Sequence, residues 1–145
     1  MAARGHGVLV SSFTTLVERL HLNQTNPHPG LGALRSEYAD GANPHPFLED
    51  LGVGRALSLA FDREALVRAG YGDLAGRPTC NVRSAPPAQA SSNNDECLVQ
   101  NIDLARRILD SAAIVDSDGD GVGEREGVPL RILFQTSTNA VRQDT

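Results

Sequence analysis

Two kinds of hydrophobic pattern organise this chain. Within residues 17–23, Leu20 and Leu22 alternate with charged and polar neighbours, and Leu130, Ile132 and Phe134 repeat that alternation further on. A period of two places every second side chain on one face, so both stretches are predicted as half-buried strands. Residues 8–11 are read as the first ordered segment of the chain. Elsewhere the spacing is helical. Asp50 can cap the free amides of a first turn, and Val53, Leu57, Ala60 and Phe61 then form an apolar stripe. Gly54 lies inside that helix and weakens it by about 1 kcal/mol relative to alanine. Asp62 is read as a second N-cap, opening a short helix over residues 63–69 that stops at Gly70. Two helices therefore meet at an aspartate in place of one long rod. Asp103 is read as the cap of a third helix, whose apolar face is Leu104, Ala105, Ile108, Leu109 and Ala112. Residues 139–145 look like the first turn of a fourth.

Between these elements lie two long irregular stretches. Residues 24–46 are punctuated by Asn26-Pro27, Pro29-Gly30, Asn43-Pro44 and two His-Pro steps, and read as loop. Residues 72–101 are also irregular, carry Pro78, Pro86 and Pro87, and contain both cysteines of the chain, Cys80 and Cys97. Loops of that length in a compact domain are either functional or pinned. A disulfide between the cysteines would pin this one, removing about 3 kcal/mol of unfolded-state entropy; two unpaired thiols are the alternative. Neither cysteine belongs to a C-x-x-C pair and no histidine cluster lies near, which argues against zinc or redox chemistry. Strands, helices and a truncated helix together predict an α/β layer over residues 1–145.

Composition narrows the function classes. With 145 residues, 40% hydrophobic and 21% charged, the chain can bury a core and is not a disordered segment. The net charge is −5 and the 13 basic residues are scattered, so nucleic acid is not the expected partner. No apolar run approaches the roughly 18 residues that span a bilayer, and residues 1–10 do not read as a signal peptide. A disulfide would nevertheless imply an oxidising compartment, reached through an export signal this sequence does not display.

Candidate chemistry is sparse. Asp116, Asp118 and Asp120, followed by Gly121, occupy positions 1, 3, 5 and 6 of a calcium loop. Position 12 needs a bidentate glutamate and holds Gly127, while Glu124 and Glu126 fall at positions 9 and 11. A strand, not a helix, is expected after it. A solvated Asp/Gly turn is the competing reading of the same residues. No catalytic residues are assigned. His6, His21, His28 and His45 form no H-E-x-x-H or similar pattern, Ser11-Ser12 and Ser91-Ser92 lack a nucleophile-elbow context, and Gly70-Tyr71-Gly72 lacks the Lys-Ser/Thr of a phosphate loop.

Five blocks, in order, carry a family resemblance. Val53-Gly54-Arg55-Ala56-Leu57-Ser58-Leu59-Ala60-Phe61-Asp62-Arg63-Glu64-Ala65-Leu66-Val67 resembles the VRxALxxAIDRxALV signature of peptide/nickel-type solute-binding proteins of ABC transporters. Glu18-Arg19-Leu20-His21-Leu22-Asn23 is similar to the EHLDFN segment that precedes it. Ile102-Asp103-Leu104-Ala105-Arg106-Arg107-Ile108-Leu109 resembles the helix DxxxAxxLL. Asp116-Ser117-Asp118-Gly119-Asp120-Gly121-Val122 with Glu126-Gly127-Val128-Pro129-Leu130 is similar to the hairpin DxDGDGxxxxxGxPL, and Gln135-Thr136-Ser137-Thr138-Asn139-Ala140-Val141-Arg142 to the passage after it. Three departures stand out: Gly54 where arginine is usual, Val17 where an aromatic is common, and Ala113-Ile114 where a Gly-Trp helix end is usual.

The resemblance implies part of the second lobe of a type II periplasmic-binding-protein-like fold, interior to a longer exported protein. It implies no enzyme and no cofactor, but a monomeric extracytoplasmic receptor, periplasmic or a cell-surface lipoprotein. Such a receptor closes on a small solute, typically a short peptide, and delivers it to a membrane permease. Asn23, Gln24, Thr25 and Asn26, leaving the predicted strand, are the expected cleft residues, against the reading that they only satisfy a local turn. A stand-alone Ca²⁺-dependent structural module and a non-functional gene remnant with unpaired strand edges are the alternatives.

Overall fold

A computed structural model of the chain describes residues 5, 10, 12, 16–35, 42–83 and 86–144. It contains helices α1 (Leu51–Ala60), α2 (Arg63–Ala75), α3 (Ile102–Ser111) and α4 (Ala140–Asp144), and a two-stranded hairpin of β1 (Glu124–Arg125) and β2 (Val128–Pro129). Short 3₁₀ turns lie at Pro29–Leu34, Pro87–Gln89 and Asp95–Leu98. Helix outweighs strand. The chain forms two compact units, one of Arg19–Phe61 with Val99–Gln135, the other of Met1–Glu18, Asp62–Leu98 and Thr136–Thr145.

The first unit holds the hydrophobic core. Val53, Ala56 and Leu59 recur at three-residue spacing on α1 and are all but sealed from solvent. Ala56 and Leu59 pack with Ala105 of α3, flanked by Ala60, Leu104, Ile108 and Leu109. Val53 packs with Phe47, Leu48 and Ile114, flanked by Leu57, Leu109, Ala112 and Leu130. The buried stripe is thus centred on Leu59 and Ala56, with the predicted Leu57 and Ala60 at its half-buried edges. Phe61 is not on it, because the backbone leaves the helix there at φ −77°, ψ 129°.

Each helix end has a physical reason. Asp50 caps α1 as predicted, its carboxylate accepting from the Gly52 amide at 2.8 Å. Asp62 caps α2, accepting from the Ala65 amide at 2.9 Å. That helix does not stop at Gly70; it runs to Ala75 with a break at Gly72, whose φ of 69° is one that glycine adopts freely. The cap of α3 is Asn101, which accepts from the Leu104 amide at 2.9 Å, and not Asp103. Asp103 sits in the first turn instead, where a negative charge meets the positive end of the helix dipole.

The C-terminus of α3 ends in a Schellman arrangement. The Ile114 amide donates to Leu109 and the Ala113 amide to Asp110, both at 3.0 Å. Ala113 takes the left-handed conformation at φ 56°, and Ile114 buries its side chain beside Leu109. The alanine where a glycine is usual therefore leaves the cap geometry intact and strains one residue.

Two predicted strands are not observed as strands. Residues 17–23 are extended without a ladder, with Leu20 and Leu22 exposed, and only Thr25 forms a single bridge, to Pro44. Residues 131–137 likewise make no ladder; Leu130 reaches the core, but Leu133 is 82% and Phe134 63% exposed. Alternation selects a face, yet a strand needs a neighbour to take its backbone bonds, and among the described residues neither segment has one. The stretch predicted at 8–11 lies outside the described residues except for Val10.

In the second unit the only buried residue among those described is Cys97. It is bonded to Cys80 across a Cα–Cα distance of 5.9 Å, closing a loop with a sequence separation of 17. Asn81 ties the same loop, donating to the Ser91 carbonyl at 2.6 Å and to Asp95 at 3.1 Å. The Arg63 guanidinium donates to the Cys97 carbonyl at 2.9 Å. With so little apolar burial, this unit depends on the covalent link, worth about 3 kcal/mol in the chain-entropy model.

Two substitutions are expected to stabilise the chain. Ala113→Gly relieves the left-handed alanine and should add about 1 kcal/mol. Gly54→Ala should add a similar amount, because a Cβ there meets only Leu22 Cδ1 at an ordinary 3.5 Å. Urea melts of the single variants check both.

Candidate functional site

The candidate cleft residues form a tight polar loop. Asn23 Oδ1 accepts from the Thr25 amide at 3.1 Å and from its hydroxyl at 2.7 Å. Asn26 Oδ1 accepts from the His28 amide at 2.9 Å. The loop is held on residues 43–45 by backbone bonds: the Asn26 amide donates to Asn43 at 2.9 Å and the His45 amide to Gln24 at 2.8 Å. Thr25 is buried, whereas Asn23 and Gln24 are exposed. The four residues thus come together, with the oxygens of Asn23 and Asn26 used by local turns and the side chain of Gln24 turned to solvent.

The chain continues into a turn at residues 46–49. His45 Nδ1 accepts from the amides of Phe47 at 3.3 Å and Leu48 at 3.1 Å. Burial pushes the His45 imidazole below the usual histidine value. Phe47 and Leu48 enter the core, and two residues later Asp50 opens α1. Asp50 also accepts from Arg125 Nη1 of β1 at 2.8 Å, while Arg125 Nη2 donates to the Pro46 carbonyl. Burial pushes the Asp50 carboxyl up, but the Gly52 amide, the Arg125 guanidinium and the Val53 amide outweigh it and hold the group below the usual aspartate range. This pair joins the head of α1 to the hairpin across 75 residues of sequence.

The acidic turn is closed at its base by paired backbone bonds between Val115 and Glu124, at 3.0 and 3.1 Å. Within it the carboxylates hold the loop's own amides. Asp116 accepts from Gly119 at 2.7 Å and Gly121 at 3.0 Å, Asp118 from Asp120, and Asp120 from Val122. Glu124 accepts from both the amide and the hydroxyl of Ser117. Gly121 adopts φ 87°, which the turn requires and a side chain would resist. Carboxylate oxygens of Asp116, Asp118, Asp120 and Glu124 lie within 4.8 Å of one another, so they have the donor set for a hard divalent cation. Gly127, at position 12, sits in the turn between β1 and β2 and supplies no ligand.

The remaining sequence candidates fall elsewhere. His21 accepts from Arg19 on the surface, His28 caps the first 3₁₀ turn, and His6 and Ser11 lie outside the described residues. Gly70-Tyr71-Gly72 lies within α2 and includes its break at Gly72. In that unit Glu18 and Arg142 pair through both carboxylate oxygens, at 2.7 and 3.0 Å. The Arg142 guanidinium holds the Glu18 carboxyl below its ordinary value, and burial together with Glu18 pushes the Tyr71 phenol up.

The description of the bacterial extracellular solute-binding proteins, family 5 middle, matches residues 8–145, and the chain belongs to that family. Neither the curated proteins nor the solved structures contain a match to it. Membership implies a periplasmic-binding-protein-like fold and a solute-binding role in ABC transport, with a small solute and a permease as partners in general. The family is generally non-enzymatic, and its extracellular character suggests an extracytoplasmic location. Among the described residues no helix is long and apolar enough to cross a membrane.

The Asp50–Arg125 pair makes a pH prediction. A carboxyl whose folded pKa is depressed adds stability that is complete above its unfolded value, about 4, and is lost as pH falls through the folded value. Asp50→Asn should therefore destabilise the chain by roughly 1–2 kcal/mol at neutral pH. The gap to the unsubstituted chain should close as pH drops below about 4. Denaturant midpoints measured across that range check it, and a gap that stays constant with pH would show that Asp50 contributes through its cap shape alone.

Proposed function

We propose that this chain is part of the second lobe of a type II receptor that binds short peptides outside the cytoplasm, as a monomer, and delivers them to an ABC permease. The observation that carries the reading is the family match over residues 8–145, with its five blocks in order. Residues 23–26 border the solute in this reading. The exposed Asn23 side-chain NH2 can donate to a peptide backbone and the Gln24 side chain can both donate and accept, and the bonds to residues 43–45 keep the loop from reorganising on binding. Replacing both Asn23 and Gln24 by alanine in the complete receptor should weaken binding of short peptides by about tenfold, the loss of one or two hydrogen bonds. Calorimetric titration measures it, and an unchanged affinity removes this loop from the cleft.

A calcium-dependent role has one observation in its favour, the four carboxylates gathered at residues 116–124. Against it, the bidentate position is a glycine and every one of the four already accepts from an amide of the loop. The turn then acts as a rigid hairpin cap without a metal. EDTA should leave the melting temperature where it was. A loss of several degrees, equivalent to about 1 kcal/mol for a chain of this size, would instead report an occupied calcium loop.

A further inference from the structure

We propose that His45 is a proton-operated latch: protonation of its Nδ1 releases the turn at residues 45–48 and, with it, the pairing that holds residues 24–26 on residues 43–45. The geometry allows no milder outcome. Backbone amides can only donate, and two of them, from Phe47 and Leu48, converge on the same ring nitrogen at 3.3 and 3.1 Å. Nδ1 must therefore carry the lone pair, and the ring proton sits on Nε2. A proton on Nδ1 would set a donor against two donors, in a residue only 8% exposed. Both amides would be left buried without an acceptor, each a penalty the turn avoids only by opening.

The turn is joined to its surroundings on both sides. The amide of His45 itself donates to Gln24, the neighbouring Pro44 bridges Thr25, and Asn43 accepts from Asn26. The imidazole also meets the Phe47 ring edge-on, with centroids 4.5 Å apart. A ring that turns or leaves thus disturbs the loop above it and one edge of the core below. The charged groups brought here by the surrounding elements are Asp50 at the head of α1 and Arg125 of β1, which neutralise each other at 2.8 Å; Glu49 is exposed. Burial lowers the pKa of the imidazole, and the two amides that need an unprotonated Nδ1 act in the same direction. Its folded pKa is depressed, so the latch is fully closed above the unfolded histidine value of about 6.5 and loosens as pH falls below it. Endosome-like or mildly acidic surroundings would open the loop, whatever solute it serves.

Native-state hydrogen exchange tests this. Protection of the Asn26, His45, Phe47 and Leu48 amides, corrected for intrinsic exchange, should fall by up to about tenfold per pH unit below pH 6.5. The Leu104 and Ala105 amides, which bond Asn101 in α3, should not follow. His45→Asn places an acceptor oxygen where Nδ1 was and cannot titrate, so its profile should be flat. Protection that is flat in the unsubstituted chain, or equal losses in α3, would overturn the latch. The imidazole nitrogen resonances of the unsubstituted chain give a second check that needs no variant: a proton on Nδ1 at neutral pH would also overturn it.

Discussion

The seam between α1 and α3 is the contact on which the core depends. It is built on alanines: Ala56 and Ala105 face each other with nothing beyond a methyl, and Leu59 fills the space beside them. Small residues let two helix backbones come close, and here the closeness is used. The Asn101 amide donates to the Leu59 carbonyl at 2.9 Å, and the Gln100 side chain donates to the Ala60 carbonyl at 2.9 Å. Two of the orphan carbonyls at the end of α1 are thus satisfied by the residues that lead into α3. Burying a leucine at this seam is worth about 2 kcal/mol or more, and truncating it to alanine would remove more than the transfer energy because a cavity would remain.

From that seam the polar features are positioned in turn. The head of α1 fixes Asp50, which holds Arg125 and so the hairpin; the tail of α3 fixes Ile114, whose successor Val115 closes the acidic turn. The turn at residues 45–48 drops Phe47 and Leu48 into the same core and carries residues 23–26 on its back. The polar loop at residues 23–26, with two exposed side chains, is therefore held without any strand of its own. The other unit rests on different physics, a disulfide and surface pairs around Cys97, Arg63, Glu18 and Arg142, and a disulfide is the usual substitute where a small unit buries little.

What could be read in the sequence follows from how local each signal is. Asp50 and Asp62 were legible as caps because a cap needs only the amides of the next turn. Asn101 was missed for Asp103 because both residue types cap, and only the direction of the incoming chain decides between them. The α1 stripe was legible as helical, but its centre was placed near Leu57 where the structure buries Leu59, since a neighbour's position, and not periodicity, selects the buried edge. The strands at 17–23 and 130–134 failed for the same reason in stronger form: their alternation is real, and their partners are not among the described residues. His45 gave no signal at all, because a lone histidine before a proline looks like surface loop until two amides are seen to meet its ring. Family membership, by contrast, was legible from ordered blocks that no single element required.

A solute receptor purified gently from its native source should still carry its solute. Native mass spectrometry of the complete protein tests that most directly. The expected result is adducts with the masses of short peptides that disappear on denaturation and return when peptides are added back. A bare protein mass that no short peptide shifts, from a sample shown to be folded by its melting transition, would contradict it.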